Sequence, residues 1–294
     1  MRRVLVLGGG GPVGIAWEAG LIAGLAQEGV DLAAAERIIG TSAGSFVGAR
    51  LALGHRAADI AAAILHEADH PPPPAPGGSA SRPPDLTFLF QKMQEAASGE
   101  RDPKEVRREI GAFALAADTM DEAAFVAMFG HNFAGLPEDA WPERDFACTA
   151  VDAQTGEFVV WDKSSGVGVV RAVTSSCSVP GIYPAITIKG RRYIDGGMRS
   201  STSADLAAGA DLAVVVAVRG RDDDPRTQRL RERVNAELDG LKAGGTRVEL
   251  IVPDADSIEA FGPNLMDFRR RPGAARAGMA QGKALAAKLR GVWG

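Results

Sequence analysis

The stretch Gly40-Thr41-Ser42-Ala43-Gly44 places a serine at a sharp turn between a predicted strand and a predicted helix. The strand, Arg37-Ile38-Ile39, is short and β-branched, and the residues from Phe46 to Leu51 are typical of a helix. In a nucleophile elbow the positions two before and two after the serine cannot carry side chains, and glycine stands at both. The stretch therefore predicts an elbow with Ser42 at its tip, where the dipole of the following helix favours negative charge.

A second glycine-rich stretch follows the first predicted strand. Val4 to Leu7 is a continuous apolar run, as in a strand buried on both faces of a parallel sheet. Gly8 to Gly11 and then Pro12-Val13-Gly14 lead into a helix predicted from about Ile15 to Gln27. The exposed backbone N–H groups of such a run can bind an anion or a developing oxyanion.

The same glycines leave a nucleotide-binding module open as an alternative, because Gly9 to Gly14 matches G-x-G-x-x-G. That fingerprint requires an acidic residue at the end of the second strand, about twenty residues further on. Asp31 has roughly this offset, but it precedes Leu32-Ala33-Ala34-Ala35 and does not end a strand. The next strand ends at the candidate elbow instead.

A third stretch, Asp195-Gly196-Gly197, follows a predicted hairpin of Ile186 to Ile188 and Arg192 to Ile194. A lone Asp-Gly pair is most often a turn signal. Before the hairpin lies a loop of small residues, Ser176 to Gly181. The Asp-Gly pair is therefore preceded by a loop of small residues and a hairpin, and this order makes it a candidate functional feature as well as a turn signal.

In content, order and context the three stretches resemble the patatin-like phospholipase family. The resemblance spans about residues 3–290, and residues 55–140 match least. It implies an α/β fold with three α/β/α layers, a mainly parallel central sheet and a helical insertion. We accordingly expect one acyl hydrolase domain over 1–294, with 55–140 as the insertion and a proline-rich loop at 71–84.

The resemblance also implies a chemistry and the residues that perform it. It implies a serine lipid acyl hydrolase, of the phospholipase A or carboxylesterase type, that works through an acyl-enzyme intermediate. Ser42 is then the nucleophile and Asp195 the base of a Ser-Asp dyad. The amides of the oxyanion hole are those of Gly9, Gly10 and Gly11. The remaining motif glycines are Gly14, Gly40, Gly44, Gly196 and Gly197.

One position departs from the family pattern. The family often has Arg or Lys before the final glycine of its first motif, and Val13 stands there in this chain. Whatever such a cation contributes, Val13 cannot supply it. The backbone amides of the loop are unaffected.

An α/β-hydrolase-type esterase with a Ser-His-Asp triad is a further alternative. Its histidine must follow the acid and come last in the chain. The last histidine here is His131, which precedes every candidate acid at a strand end in the C-terminal half. We therefore expect none of the four histidines to take part in the chemistry. They are His55, His66, His70 and His131.

Two predicted helices in the C-terminal third differ in character. Residues 226–241 are rich in charge and predict a solvent-exposed helix. Residues 274–289 predict a closing helix in which Ala and Gly are spaced for close packing.

Composition excludes several classes of function. Charged residues make up 24% of the chain, the net charge is −4, and the cations are scattered, so no nucleic-acid partner is expected. Cys148 and Cys177 have no ligand spacing and predict buried reduced thiols, with no metal or cofactor. The apolar run at the start is too short for a signal peptide, and no apolar run in the chain could span a bilayer. These features favour a cytoplasmic enzyme acting on a lipid or small acyl ester, with any membrane contact peripheral.

Overall fold

A computed structural model describes residues 1–70, 87–220 and 225–293, so the predicted loop at 71–84 lies outside the described residues. In chain order the strands and helices are β1 (Arg3–Leu7), α1 (Gly11–Gln27), β2 (Arg37–Gly40), α2 (Ala43–Ala52), α3 (Ala57–His66), α4 (Thr87–Ser98), α5 (Pro103–Ala116), α6 (Glu122–Gly130), β3 (Asp145–Asp152), β4 (Phe158–Trp161), α7 (Val169–Ser176), β5 (Ile186–Ile188), β6 (Arg191–Asp195), β7 (Leu212–Val216), α8 (Pro225–Ala243), β8 (Arg247–Ile251), α9 (Ala255–Phe261) and α10 (Arg271–Trp293).

The chain divides into two compact units. The first contains Met1–Pro72, Pro142–Phe146 and Ser201–Gly294, and the second contains Pro73–Trp141 and Ala147–Ser200. The predicted helical insertion is shared between them, because α3 lies in the first unit and α4 to α6 lie in the second.

The first unit contains a parallel sheet with the strand order β2-β1-β7-β8. Leu7 at the end of β1 pairs with Gly40 on one side and with Val216 on the other. The carboxyl ends of parallel strands meet at one edge of a sheet, which is where such sheets place ligands. The glycine loop after β1 and the turn after β2 are therefore neighbours, as the sequence predicts for an α/β protein.

One face of this sheet is covered by α8. The predicted helix over 226–241 is present and much of it is exposed, but Val234, Leu238 and Leu241 are buried, which the prediction of a solvent-exposed helix did not include. Their spacing forms an apolar stripe of helical period within a charged sequence. The stripe packs against a cluster that includes the sheet residues Val4, Val6, Ile39, Ala213 and Val215.

The opposite face carries α1, α2 and α10, so the first unit has the three expected α/β/α layers. α1 and α10 touch through their backbones: a Cβ at Gly20 would lie 2.2 Å from the Ala275 oxygen, and one at Gly278 would lie 2.3 Å from the Trp17 oxygen. The predicted close packing of the closing helix is thus confirmed. α2 lies over the sheet, and Gly48 leaves room for the Ile38 side chain.

The strands of the second unit are antiparallel, in the order β5-β6-β3 with β4 paired to β3. The predicted hairpin of β5 and β6 is confirmed, and β6 ends at Asp195. α4 and α5 contribute Leu89, Val106 and Ile110 to its core. Asp102 caps the start of α5, and its side chain accepts the Lys104 N–H at 2.9 Å.

Both cysteines are buried and carry free thiols, as expected, and burial raises the pKa of the Cys148 thiol. In the part of the chain that the structure describes, every helix is too short or too polar to cross a bilayer.

Candidate active site

The turn after β2 has the backbone geometry of a nucleophile elbow. Ser42 has φ 52° and ψ −117°, a conformation that a non-glycine residue rarely adopts. A Cβ at Gly40 would lie 2.4 Å from the Ser45 Cα, and one at Gly44 would lie 2.1 Å from the Leu7 oxygen. Only glycine fits at either place, so the steric reason for the sequence pattern is present in the structure.

Hydrogen bonds tie this elbow to the glycine loop. The Gly44 N–H donates to the Gly8 oxygen at 2.9 Å, and the Thr41 N–H donates to the Leu7 oxygen at 3.0 Å. α2 begins directly after Ser42, so the positive end of its dipole lies at the serine. The surrounding backbone therefore sustains the strained conformation of Ser42.

The glycine loop runs beside the elbow, since a Cβ at Gly9 would lie 3.3 Å from the Ser42 Cβ. The Gly9 N–H donates to the Ser201 oxygen at 2.7 Å. Among the residues that the structure describes, the Gly10 and Gly11 N–H groups have no hydrogen-bond acceptor. Of the three glycines assigned to an oxyanion hole, these two hold amides that are not already engaged.

The loop is as closely packed as the elbow. A Cβ at Gly10 would lie 2.8 Å from the Val218 side chain, and Gly14 faces the same side chain at 3.3 Å. Gly11 has φ +60° and approaches the Leu265 oxygen. The close approach of other chain segments therefore accounts for glycine at Gly10 and Gly11.

In the second unit, Asp195 ends β6 and is buried, with 2% of its surface exposed. Its carboxylate accepts the Gly197 N–H at 2.7 Å, and its own N–H donates to the Ser178 oxygen at 3.0 Å. A Cβ at Gly196 would lie 2.2 Å from the Thr149 Oγ1. The small-residue loop noted in the sequence thus supports the Asp-Gly turn through Ser178.

Asp31 does not occupy the place that a dinucleotide fold would need. It precedes a short 3₁₀ turn, Leu32–Ala34, and its side chain accepts the Ala33 N–H at 3.0 Å. It therefore caps a turn and does not end the second strand.

The histidines lie away from strand ends. His131 follows α6, and its Nδ1 lies 2.6 Å from the Ala127 oxygen. His55 follows α2, where burial and the Arg50 guanidinium lower its pKa. Neither is placed as the base of a triad would be.

His66-Glu67-Ala68-Asp69-His70 matches H-E-x-x-H, a zinc pattern that the sequence-based interpretation did not consider. The two imidazole rings stack with centroids 4.0 Å apart, and Glu67 is paired with Arg271 at 3.1 Å. Within the described ranges there is no group of three or more His, Cys, Asp or Glu that could hold a metal ion. The pattern therefore does not assemble a zinc site there.

An open cavity of about 710 Å³ lies within the second unit and contains none of the motif residues. Both acidic and basic side chains line it, and Arg171 contacts both Glu122 and Glu138. Both basic side chains that line it are engaged, Arg171 by these ion pairs and Lys189 by the Ser165 oxygen.

The sequence-based prediction did not single out one residue of α1. Glu18 is the single charged residue of α1 and is fully buried. The signal was available, since an acid within an otherwise apolar helix is unusual.

The sequence model of the patatin-like phospholipase family matches residues 5–208, which is more than half of the chain. The chain belongs to this family. No match was found among curated proteins.

Two solved structures are similar to the chain over 97% of its length. VipD from Legionella pneumophila is 14% identical with a TM-score of 0.45, and the type III effector protein ExoU is 17% identical with a TM-score of 0.39. The chain spans 66% of the VipD chain and 53% of the ExoU chain.

Proposed function

We propose that this member of the patatin-like family is a serine lipid acyl hydrolase, of the phospholipase A or carboxylesterase type, with Ser42 as nucleophile and Asp195 as base. The observation that carries the proposal is the strained Ser42 backbone between two glycines that admit no side chain. Backbone strain of this kind is found at active sites, where it fixes a reactive group. Family membership supports the substrate class.

In the proposed reaction, the Ser42 Oγ attacks the ester carbonyl carbon while its proton passes to a carboxylate oxygen of Asp195. The carbonyl electrons move onto oxygen and form a tetrahedral oxyanion. When this collapses, the alcohol leaves with the proton from Asp195 and the acyl group stays on Ser42. Water then attacks the acyl carbon while Asp195 takes its proton, and on collapse this proton passes to the leaving Ser42 Oγ, which releases the fatty acid and restores the ionised Asp195.

The Gly10 and Gly11 amides are the proposed donors to the oxyanion, because the Gly9 amide is engaged by Ser201. A well-placed donor contributes about 3 to 4 kcal/mol to such a transition state. This matters here because a carboxylate is a weak base at neutral pH. The loop and the elbow thus compensate for the absence of a histidine from the proposed dyad.

One feature supports Asp195 as the base. Its carboxylate already accepts the Gly197 N–H, which fixes its orientation.

The direct test is covalent labelling by a fluorophosphonate probe, with mass spectrometry of the adduct. We expect the label on the peptide that contains Ser42. Ser42→Ala should abolish it and reduce p-nitrophenyl ester hydrolysis by about a thousandfold or more. Ser164→Ala, at an exposed serine of the second unit, serves as the control. A folded Ser42→Ala variant with undiminished hydrolysis would exclude Ser42 as the nucleophile.

A further inference from the structure

Residues 201–204, which precede β7 in the chain, contact both the glycine loop and the elbow. The Ser201 oxygen accepts the Gly9 N–H at 2.7 Å. The Thr41 Oγ1, next to the candidate nucleophile, donates to the Ser203 Oγ at 3.4 Å. The position of these four residues, which we call the supporting segment, therefore affects both parts of the candidate site.

The supporting segment contains a backbone conformation that is unfavourable by itself. Ser203 has φ 51° and ψ 39°, in the left-handed region that non-glycine residues rarely adopt. Such a conformation persists only where the surrounding structure holds it, and residues of this kind cluster at active sites. Contacts from other elements are therefore needed to keep Ser203 in place.

One carboxylate oxygen of α8 holds the segment on both sides of Ser203. The Glu237 Oε2 accepts the Thr202 hydroxyl at 2.8 Å and the Ala204 N–H at 2.9 Å. Hydrogen bonds to a carboxylate are shorter and about twice as strong as those between neutral groups. The residue with the unfavourable conformation thus lies between two charge-assisted hydrogen bonds to the same atom.

The same helix also holds this part of the chain by apolar contact. Ala204 and Ala207 are buried in one cluster with Val234 and Leu238 of α8. These contacts do not depend on Glu237, so the segment should stay against α8 when the carboxylate is removed. Loss of the two hydrogen bonds would therefore remove a restraint on the strained part of the segment and leave the fold in place.

A shift of the supporting segment would reach the candidate oxyanion amides. The Gly9 N–H donates to the Ser201 oxygen, and a Cβ at Gly9 would lie 3.3 Å from the Ser42 Cβ. Gly10 and Gly11, which hold the proposed donors, follow directly in the chain. A displacement of about 1 Å in such a site can lower a rate about a hundredfold.

From these contacts we infer that Glu237 is a positioning residue, whose carboxylate fixes the supporting segment and, through the Ser201 oxygen, sets the glycine loop relative to Ser42. Its effect on catalysis rests on the proposed function, whereas its effect on the loop backbone does not. Glu237 acts through the segment that it holds and not on the substrate itself.

The variants that test this are Glu237→Ala, which removes the acceptor, and Glu237→Gln, which keeps a side-chain oxygen that can accept both hydrogen bonds. Glu232→Ala, at an exposed position of the same helix, is the matched control. Thr202→Val removes one donor and keeps the shape of the side chain. Amide exchange of Gly9, read by fragmentation mass spectrometry on the full chain, reports on the loop without relying on catalysis. Steady-state ester hydrolysis reports the consequence.

We expect Gly9 exchange to rise about fivefold or more in Glu237→Ala, because its acceptor moves, and to stay within about twofold in Glu237→Gln and Glu232→Ala. We expect kcat of Glu237→Ala to fall about tenfold or more, with KM within about twofold. Thr202→Val should cause smaller changes in the same direction. Added to Glu237→Ala, it should lower kcat less than it does in the native chain, because the bond between the two side chains is already gone.

Three results would overturn the inference. They are unchanged Gly9 exchange in a folded Glu237→Ala, a Glu237→Gln variant that behaves as Glu237→Ala does, and additive effects of Glu237→Ala and Thr202→Val. A residue with a merely structural role would give the first result together with a lower thermal midpoint. If Glu237→Ala does not fold, unchanged Gly9 exchange in Thr202→Val overturns the inference instead. If the native chain hydrolyses no ester, the proposed function fails, and the exchange data still decide the role of Glu237.

Discussion

Ser42 in the first unit and Asp195 in the second each stand at the end of a strand, but different forces hold them. The turn at Ser42 is set by steric contact: its flanking glycines lie against backbone atoms, and its own φ is 52°. The turn at Asp195 has an ordinary backbone, with φ −49° and ψ 130°, and its own carboxylate accepts the Gly197 N–H. The first turn should therefore be intolerant of added atoms, whereas the second should depend on the chemistry of one side chain.

Asp195→Asn tests this contrast, and we expect it to have the largest effect on activity. The Asn oxygen can still accept the Gly197 N–H, so the turn should keep its shape, but the proton acceptor is lost. Loss of a general base lowers rates by about 10² to 10⁴. We expect a fall in kcat of about a thousandfold with little change in thermal midpoint.

Asp195→Ala is the matched control, because it also removes the acceptor of the Gly197 N–H. It should cost about 1 kcal/mol of stability in addition to the activity. Equal stability losses in the two variants would mean that the hydrogen bond does not hold this turn.

Gly44→Ala should break the elbow. Its Cβ would lie 2.1 Å from the Leu7 oxygen, and neither backbone segment can move without disturbing the β1–β2 pairing. Overpacking against such atoms costs about 3 kcal/mol or more, so the thermal midpoint should fall by several degrees, if folded protein is recovered at all.

Gly197→Ala is the counterpart in the other turn. Its Cβ would meet the Asp195 Oδ1 at 2.9 Å, which is the end of a side chain that can rotate away. We expect a stability change below about 1 kcal/mol but a loss of activity of about tenfold, since the base is displaced. A Gly197→Ala variant less stable than Gly44→Ala would reverse the comparison.

The smallest effect is expected from the histidines. His131→Ala removes a ring whose Nδ1 contacts the Ala127 oxygen and should leave kcat within about twofold, whereas loss of a triad histidine costs several powers of ten. The same result is expected for His55, His66 and His70. A thousandfold loss in any folded histidine variant would require a triad in place of the dyad.

Local patterns predicted most of what surrounds Ser42. The order of strand, glycine turn and helix could be read directly, because the steric limits of a tight turn act between residues close in sequence. The hairpin before Asp195 and the close packing of α10 were also predicted from local spacing and side-chain size, and the α/β class from the family resemblance. The buried stripe of α8 was not, because three apolar residues among many charges are easily overlooked.

What the sequence by itself determined is the set of turns at which only glycine fits and the serine and aspartate that they carry. The tertiary structure alone decided which amides remain for an oxyanion, because the acceptor of the Gly9 N–H is Ser201, far away in the chain. It likewise decided that Glu18 is buried, with no hydrogen-bond partner for its carboxyl oxygens among the described residues. Steric limits act through neighbouring bonds and leave a local pattern, whereas hydrogen-bond partners and burial depend on segments that only folding brings together.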